Sequence, residues 1–268
     1  MNLLVTLDSG YIKVLSVMLK SVLMSNEDTD FTVYMLNSTL TKEDFDEVKN
    51  YLKTDRMTLV DLKAPENFLE GAPISNRYPK EMYYRIFAAR FLPKEVDRVL
   101  YLDPDLIVRK SLKPLYEMDM GDNYFAAATH VGKILTGINA IRLEMEDEAP
   151  YINSGVMLMN IGLLRQEQNF KSVYDYINEK KNLLFLPDQD VISAVYGDRI
   201  AKIDSYIYNM NDRLLLSPKC IKKGITADWV AENSTVIHYL GRNKPWKESY
   251  VGLLGYMYHD VVNAPLPQ

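Results

Sequence analysis

Short apolar runs recur along this chain, each followed by a longer stretch patterned for a helix. The runs fall at residues 2–7, 31–36, 57–62, 98–102, 124–129, 155–161 and 236–240. Between the first two, "YIKVLSVMLKSVLMSN" places Ile12, Leu15, Leu19, Val22 and Leu23 at helical spacing. "LTKEDFDEVKNYLK" opens on a Thr41-x-x-Asp44 capping pattern and turns Phe45, Val48 and Leu52 inward. "PKEMYYRIFAARFLP", bracketed by Pro79 and Pro93, and "LLRQEQNFKSVYDYINEKK" predict two further helices. Strands that alternate with helices of this length specify an α/β fold: a Rossmann-like, mostly parallel twisted sheet with helices on both faces. Ligands in such sheets bind at the carboxyl ends of strands.

No internal repeat and no Gly/Ser linker divides the 268 residues, so one domain is expected over 1–246, with 247–268 as a tail packed on it. The polar segment 134–150, with "RLEMEDEAP", is the candidate lid. A net charge of −5 supplies no broad basic surface and argues against a nucleic-acid partner. With Cys220 as the single cysteine, a reducing compartment is expected. The N-terminus has no basic residue before its apolar run and is not read as a signal peptide. No apolar stretch approaches the ~20 residues that span a bilayer. A cytoplasmic location follows as the expectation, with contact at the inner face of a membrane left open.

Four stretches carry chemistry. In "YLDPDLIV", Asp103 and Asp105 stand side by side at a strand end, where like charges repel unless a cation lies between them. In an extended chain, side chains at i and i+2 point the same way, and Pro104 biases Asp103 towards that geometry. A solvated Asp-Pro turn is the plain alternative. In "VIHYLGRNKPW", His238 offers a ring nitrogen suited to a transition metal such as Mn²⁺. Gly241 permits close backbone approach and Lys244 suits phosphate, although each also reads as an ordinary core or surface residue. Asn153 and Ser154 precede the strand of "YINSGVMLMNI", able to hydrogen-bond sugar hydroxyls or to make a turn. In "FLPDQDVISAV", Asp188 and Gln189 suit a polyol, while Asp188 equally suits a helix N-cap.

Taken in order, "LDSGY", "YYRI", "YLDPDLIV", "NSGVMLMN", "LPDQDVI" and "HYLGRNKPW" resemble glycosyltransferase family 8, in its bacterial lipopolysaccharide galactosyl- and glucosyltransferase branch. The motifs run from residue 3 to residue 246. The resemblance implies a GT-A fold and retaining transfer of a hexose from a UDP-sugar to a saccharide or glycolipid acceptor. It implies Mn²⁺, with Mg²⁺ as alternative, on Asp103, Asp105 and His238. Lys244 and the Gly241 backbone match the groups that hold the diphosphate, and Thr6, Asp8 and Tyr11 the uridine pocket. Arg85, Asn153, Ser154, Asp188 and Gln189 match the positions that grip the donor sugar. Gln189 is a poor nucleophile, which favours front-face attack by the acceptor; Asp190 is the candidate for a double displacement. Two departures are Asp8-Ser9-Gly10 after the first strand and His130, where relatives commonly carry an aspartate near the acceptor.

Two other classes compete. A haloacid-dehalogenase-type phosphatase also sets Asp-x-Asp after a strand, but at the start of its domain and with Thr or Val where this chain has Ile107. A sugar-nucleotide-binding protein without turnover is the rival outside enzymology. With 19 tyrosines, self-glucosylation is a further variant.

Overall fold

The computed structural model describes residues 1–65, 67–69, 72, 79–129, 133–146 and 149–266. Seven strands form one sheet: β1 (Asn2–Thr6), β2 (Phe31–Asn37), β3 (Met57–Lys63), β4 (Arg98–Leu102), β6 (Phe125–Ala127), β7 (Val156–Asn160) and β8 (Ile200–Lys202). Their order is β3-β2-β1-β4-β7-β6-β8. All pairs are parallel except the two made by β7, which runs antiparallel between β4 and β6. Two shorter strands, β5 (Leu106–Val108) and β9 (Val236–His238), form a separate antiparallel pair.

The N-terminal half grows outward from β1 to β3, then returns to the other side of β1 as β4. That reversal is the switch point at which a parallel α/β sheet leaves a crevice beyond its strand ends. Its two strands alternate between faces: Leu3, Val5, Leu100 and Leu102 join one core, Leu4, Val99 and Tyr101 the other. The first core lies under the helix Ile12–Met24, where Leu15, Met18, Leu19, Val22 and Leu23 are fully buried. Burial of this kind stabilises by about 1.5–3 kcal/mol per side chain. The helix Lys42–Leu52 starts with the expected capping box, Thr41 and Asp44 each accepting from the other's backbone N–H. The second core packs under the helices Phe170–Lys180 and Pro187–Tyr196.

Several elements depart from the sequence reading. The run 236–240 shortens to β9 and pairs outside the main sheet, because β5, too short to stand out by periodicity, gives it a partner. The stretch before β4 is a single helical turn, Glu81–Tyr84, followed by a 3-10 segment, Arg85–Arg90, kinked at Phe87. The long amphipathic helix is two, Ile161–Glu167 and Phe170–Lys180, because Asn169 caps the second through Ser172 N. Asp188 is not an N-cap: Leu186 occupies that position and Pro187 opens the helix.

A third apolar cluster sits beneath the β5–β9 pair, joining Ile107, Ile237 and Tyr239 to Met257, Tyr258 and Val261 of the helix Gly255–Asn263. Lys20 donates to the Val262 and Ala264 carbonyls at 3.1 and 2.6 Å and holds that helix end on the body. Among the described residues, no helix is long and apolar enough to cross a membrane.

Candidate active site

Asp103 follows β4 directly, and its N–H donates to Gly155 O at 2.8 Å. Pro104 and Asp105 make a turn rather than a continued strand, so the pair lacks the extended geometry expected for it. The two carboxylates nevertheless converge. Register does this: Leu106 lies opposite His238 in the β5–β9 pair, and Tyr239 N donates to Asp105 O at 3.0 Å. Oxygens of Asp103 and Asp105 and a ring nitrogen of His238 all fall within 4.8 Å of one another. His238 Nε2 is 3.1 Å from Asp105 Oδ1 and 3.6 Å from Asp103 Oδ2.

Each carboxylate has its own cation. Asp103 Oδ1 is 2.9 Å from Arg85, whose same nitrogen is 3.0 Å from Asp188 Oδ2. Asp105 Oδ2 is bonded by Lys244, which also donates to the Tyr239 carbonyl at 2.7 Å. Burial disfavours ionised Asp105, but His238 and Lys244 outweigh it and hold its carboxyl well below the usual range. Asp188 goes the other way, since burial outweighs its Arg85 and Ser154 partners and raises it. Arg85, 5 % exposed, is kept charged by Asp103, Tyr101 and Asp188 against the cost of burial. Its guanidinium also lies 4.3 Å from the Tyr101 ring centroid.

The remaining predicted residues fall around this centre. Thr6 ends β1, buried, with its hydroxyl 3.1 Å from Tyr101 Oη and 3.4 Å from Arg85. Asp8 accepts from Gly10 N at 2.8 Å and so caps the short turn Ser9–Tyr11. Tyr11 is 37 % exposed; partial burial, then the Asp105 and Asp103 charges, push its hydroxyl up. Ser154 donates to Asp188 at 2.6 Å, and Asn153 to Gln189 Oε1 at 2.8 Å. Gly241 has φ +75°, a conformation a side chain would strain. Asp190 is fully buried and accepts from Arg142, Tyr151 and the N–H groups of Phe185 and Leu186, which commits both oxygens to structure. Arg142 comes from the helix Lys133–Leu143, within the segment read as a lid. His130 lies outside the described residues.

Three residues of this centre were given no role from the sequence, although Tyr101 and Gly155 lie inside the quoted motifs. Tyr101 donates to Asp103 at 2.7 Å from inside an apolar strand. Gly155 leaves room for the histidine, since a Cβ there would lie 2.1 Å from His238 Cε1. Asn209, fully buried, bonds His238 Nδ1 through its own oxygen at 3.0 Å.

The family model for glycosyl transferase family 8 matches residues 2–249. This chain belongs to that family. The Escherichia coli lipopolysaccharide 1,2-glucosyltransferase is 27 % identical over 246 residues, covering 90 % of this chain and 72 % of that protein. Glycosyltransferase GlyE of Streptococcus pneumoniae is 28 % identical over 254 residues; the match covers 92 % of this chain but only 57 % of GlyE. In structure, the galactosyltransferase LgtC, solved with donor and acceptor sugar analogues, superposes with a TM-score of 0.83 at 22 % identity, over 99 % of this chain and 98 % of that one. The fold is therefore GT-A, and the family-8 membership makes the chain a glycosyltransferase.

Proposed function

We propose that this hexosyltransferase moves glucose or galactose, with retention, from a UDP-sugar to a saccharide or glycolipid acceptor, with Mn²⁺ or Mg²⁺ at Asp103, Asp105 and His238. The observation that carries the reading is the convergence of those three side chains within 4.8 Å at the sheet's switch point. Two carboxylates and one imidazole are a donor set suited to a divalent cation, and the imidazole adds affinity for Mn²⁺. The likeness to lipopolysaccharide glucosyl- and galactosyltransferases supports hexose as the transferred group. When bound, such an ion stabilises the charge that grows on the departing diphosphate.

In this reading residues 1–246 are the transferase unit and 247–268 its packed tail. Lys244 and the Gly241 backbone bind the diphosphate, and Asp8 and Tyr11 hold the uridine with Thr6 beneath them. Arg85, Asp188, Asn153 and Ser154 orient the hexose. Gln189 faces the sugar as a neutral amide whose oxygen already accepts from Asn153, and Asp190 has no oxygen left over for attack. The acceptor hydroxyl then attacks on the face from which UDP departs, and its proton passes to a phosphate oxygen. The buried, free Cys220 accords with a reducing cytoplasm, where we place the enzyme.

The test incubates the protein with UDP-glucose and UDP-galactose, with Mn²⁺ and with chelator, and follows UDP release and binding. Metal-dependent release, lost in Asp103→Ala and His238→Ala, is expected. The reading fails if no UDP-sugar binds, or if both variants keep metal-dependent binding. UDP binding without release or transfer would instead point to a non-catalytic sugar-nucleotide-binding protein.

A further inference from the structure

Asn209 contacts neither carboxylate, yet it sits between the candidate metal centre and the amide that faces the donor sugar. Its bonding direction follows from one group that has no choice. The Gly155 backbone N–H donates to Asn153 at 3.1 Å, so the Asn153 atom it meets must be the oxygen. That oxygen also receives Asn209 Nδ2 at 2.8 Å, which turns the Asn209 oxygen towards His238 Nδ1, 3.0 Å away. An amide oxygen only accepts; Nδ1 must therefore carry a proton, and Nε2 is the nitrogen presented to Asp103 and Asp105. On the other side, Asn153 Nδ2 donates to Gln189 Oε1 at 2.8 Å and so fixes which end of that amide is the oxygen.

We infer that Asn209 is a positioning residue: it holds the proton on His238 Nδ1, so that Nε2, which faces Asp105 Oδ1 at 3.1 Å, is the nitrogen offered to a metal ion, and it ties that histidine to Asn153 and Gln189. The inference rests on the proposed metal site. Partners of this kind on a ligating histidine are worth about 10–100-fold in metal affinity. The short turn Ser205–Tyr208 delivers Asn209 to this position, and nothing in the motif pattern marks it.

The test titrates Mn²⁺ alone into the full chain, followed by electron paramagnetic resonance, so that no turnover is needed. Asn209→Ala removes the acceptor and is expected to raise the Mn²⁺ Kd by about 10–100-fold. Asn209→Asp keeps an acceptor for Nδ1 and is expected to bind Mn²⁺ as tightly as the parent or more so. A purely structural role would not separate these two variants. Circular dichroism checks folding, and Asn209→Leu, close in volume, is read in place of the alanine variant if that does not fold. Parent-like Kd in the truncated variant, or equal loss in the aspartate variant, overturns the inference. Asp103→Ala separates this from failure of the metal site itself. If it leaves the Kd unchanged, the site is wrong; if it weakens binding while Asn209→Ala does not, only the role of Asn209 falls.

Discussion

The N-terminal and C-terminal regions of this protein are built differently. Residues 2–102 contribute four parallel strands crossed by helices as long as 13 residues, with side chains that alternate cleanly between two cores. Residues 200–263 contribute two three-residue strands and helices mostly of four to seven residues, held by caps and loop hydrogen bonds. Yet His238, Lys244 and Asn209 all come from the second region, while the first supplies Asp8 and the strand leading to Asp103. The regular region sets a rigid strand end, and the irregular region brings polar groups to it from short elements, His238 through the β5–β9 register and Asn209 and Lys244 from loops. Scaffold and site chemistry are thus separable, and substitutions should distinguish them.

Arg85→Met attacks the one cation that serves both Asp103 and Asp188. It leaves two carboxylates without their counter-charge, an expected cost of about 3–5 kcal/mol in urea unfolding. Survival of parent stability would show that water reaches this pair. Leu19→Ala opens a cavity in the regular region and should cost about 2–5 kcal/mol, with UDP release per folded molecule unchanged. A matching fall in specific activity would break the proposed separation. His238→Ala inverts the pattern: Mn²⁺-dependent UDP release is expected to fall at least about 100-fold, close to 2.7 kcal/mol. Its unfolding midpoint should move less than that of Leu19→Ala. Thr41→Ala, which removes the capping box far from the site, should cost about 1 kcal/mol in denaturant and leave Mn²⁺ binding untouched.

The alternation of apolar runs with helical periods was enough to specify the sheet class and the strands β1 to β4: β1, β2 and β4 are buried along most of their length and have to be largely apolar, while the half-exposed edge strand β3 still carries a run of Met57, Leu59, Val60 and Leu62. Asp103, Asp105, His238 and Lys244 drew notice as polar groups at or shortly after apolar runs, but their roles came only from the resemblance of the ordered motifs to glycosyltransferase family 8. The pattern did not show that Pro104 and Asp105 turn, or that β9 leaves the main sheet, because three-residue strands carry too few residues for a period. The Asp-Pro turn is present, and the two carboxylates of the candidate metal pair flank its proline.

What only the tertiary structure decided is partnership. Arg85 lies 103 residues before Asp188, and Asn209 lies 56 residues after Asn153. No local pattern links such residues, because each is chosen for a neighbour that folding alone brings near. Gly155 is the plainest case: its missing side chain is explained by the His238 ring and the Asp103 carboxylate that fill the space. Local propensity and hydrophobic pattern determine which segments form strands and helices. The direction of a buried hydrogen bond depends on the groups around it in space, and those were settled only once β5 met β9.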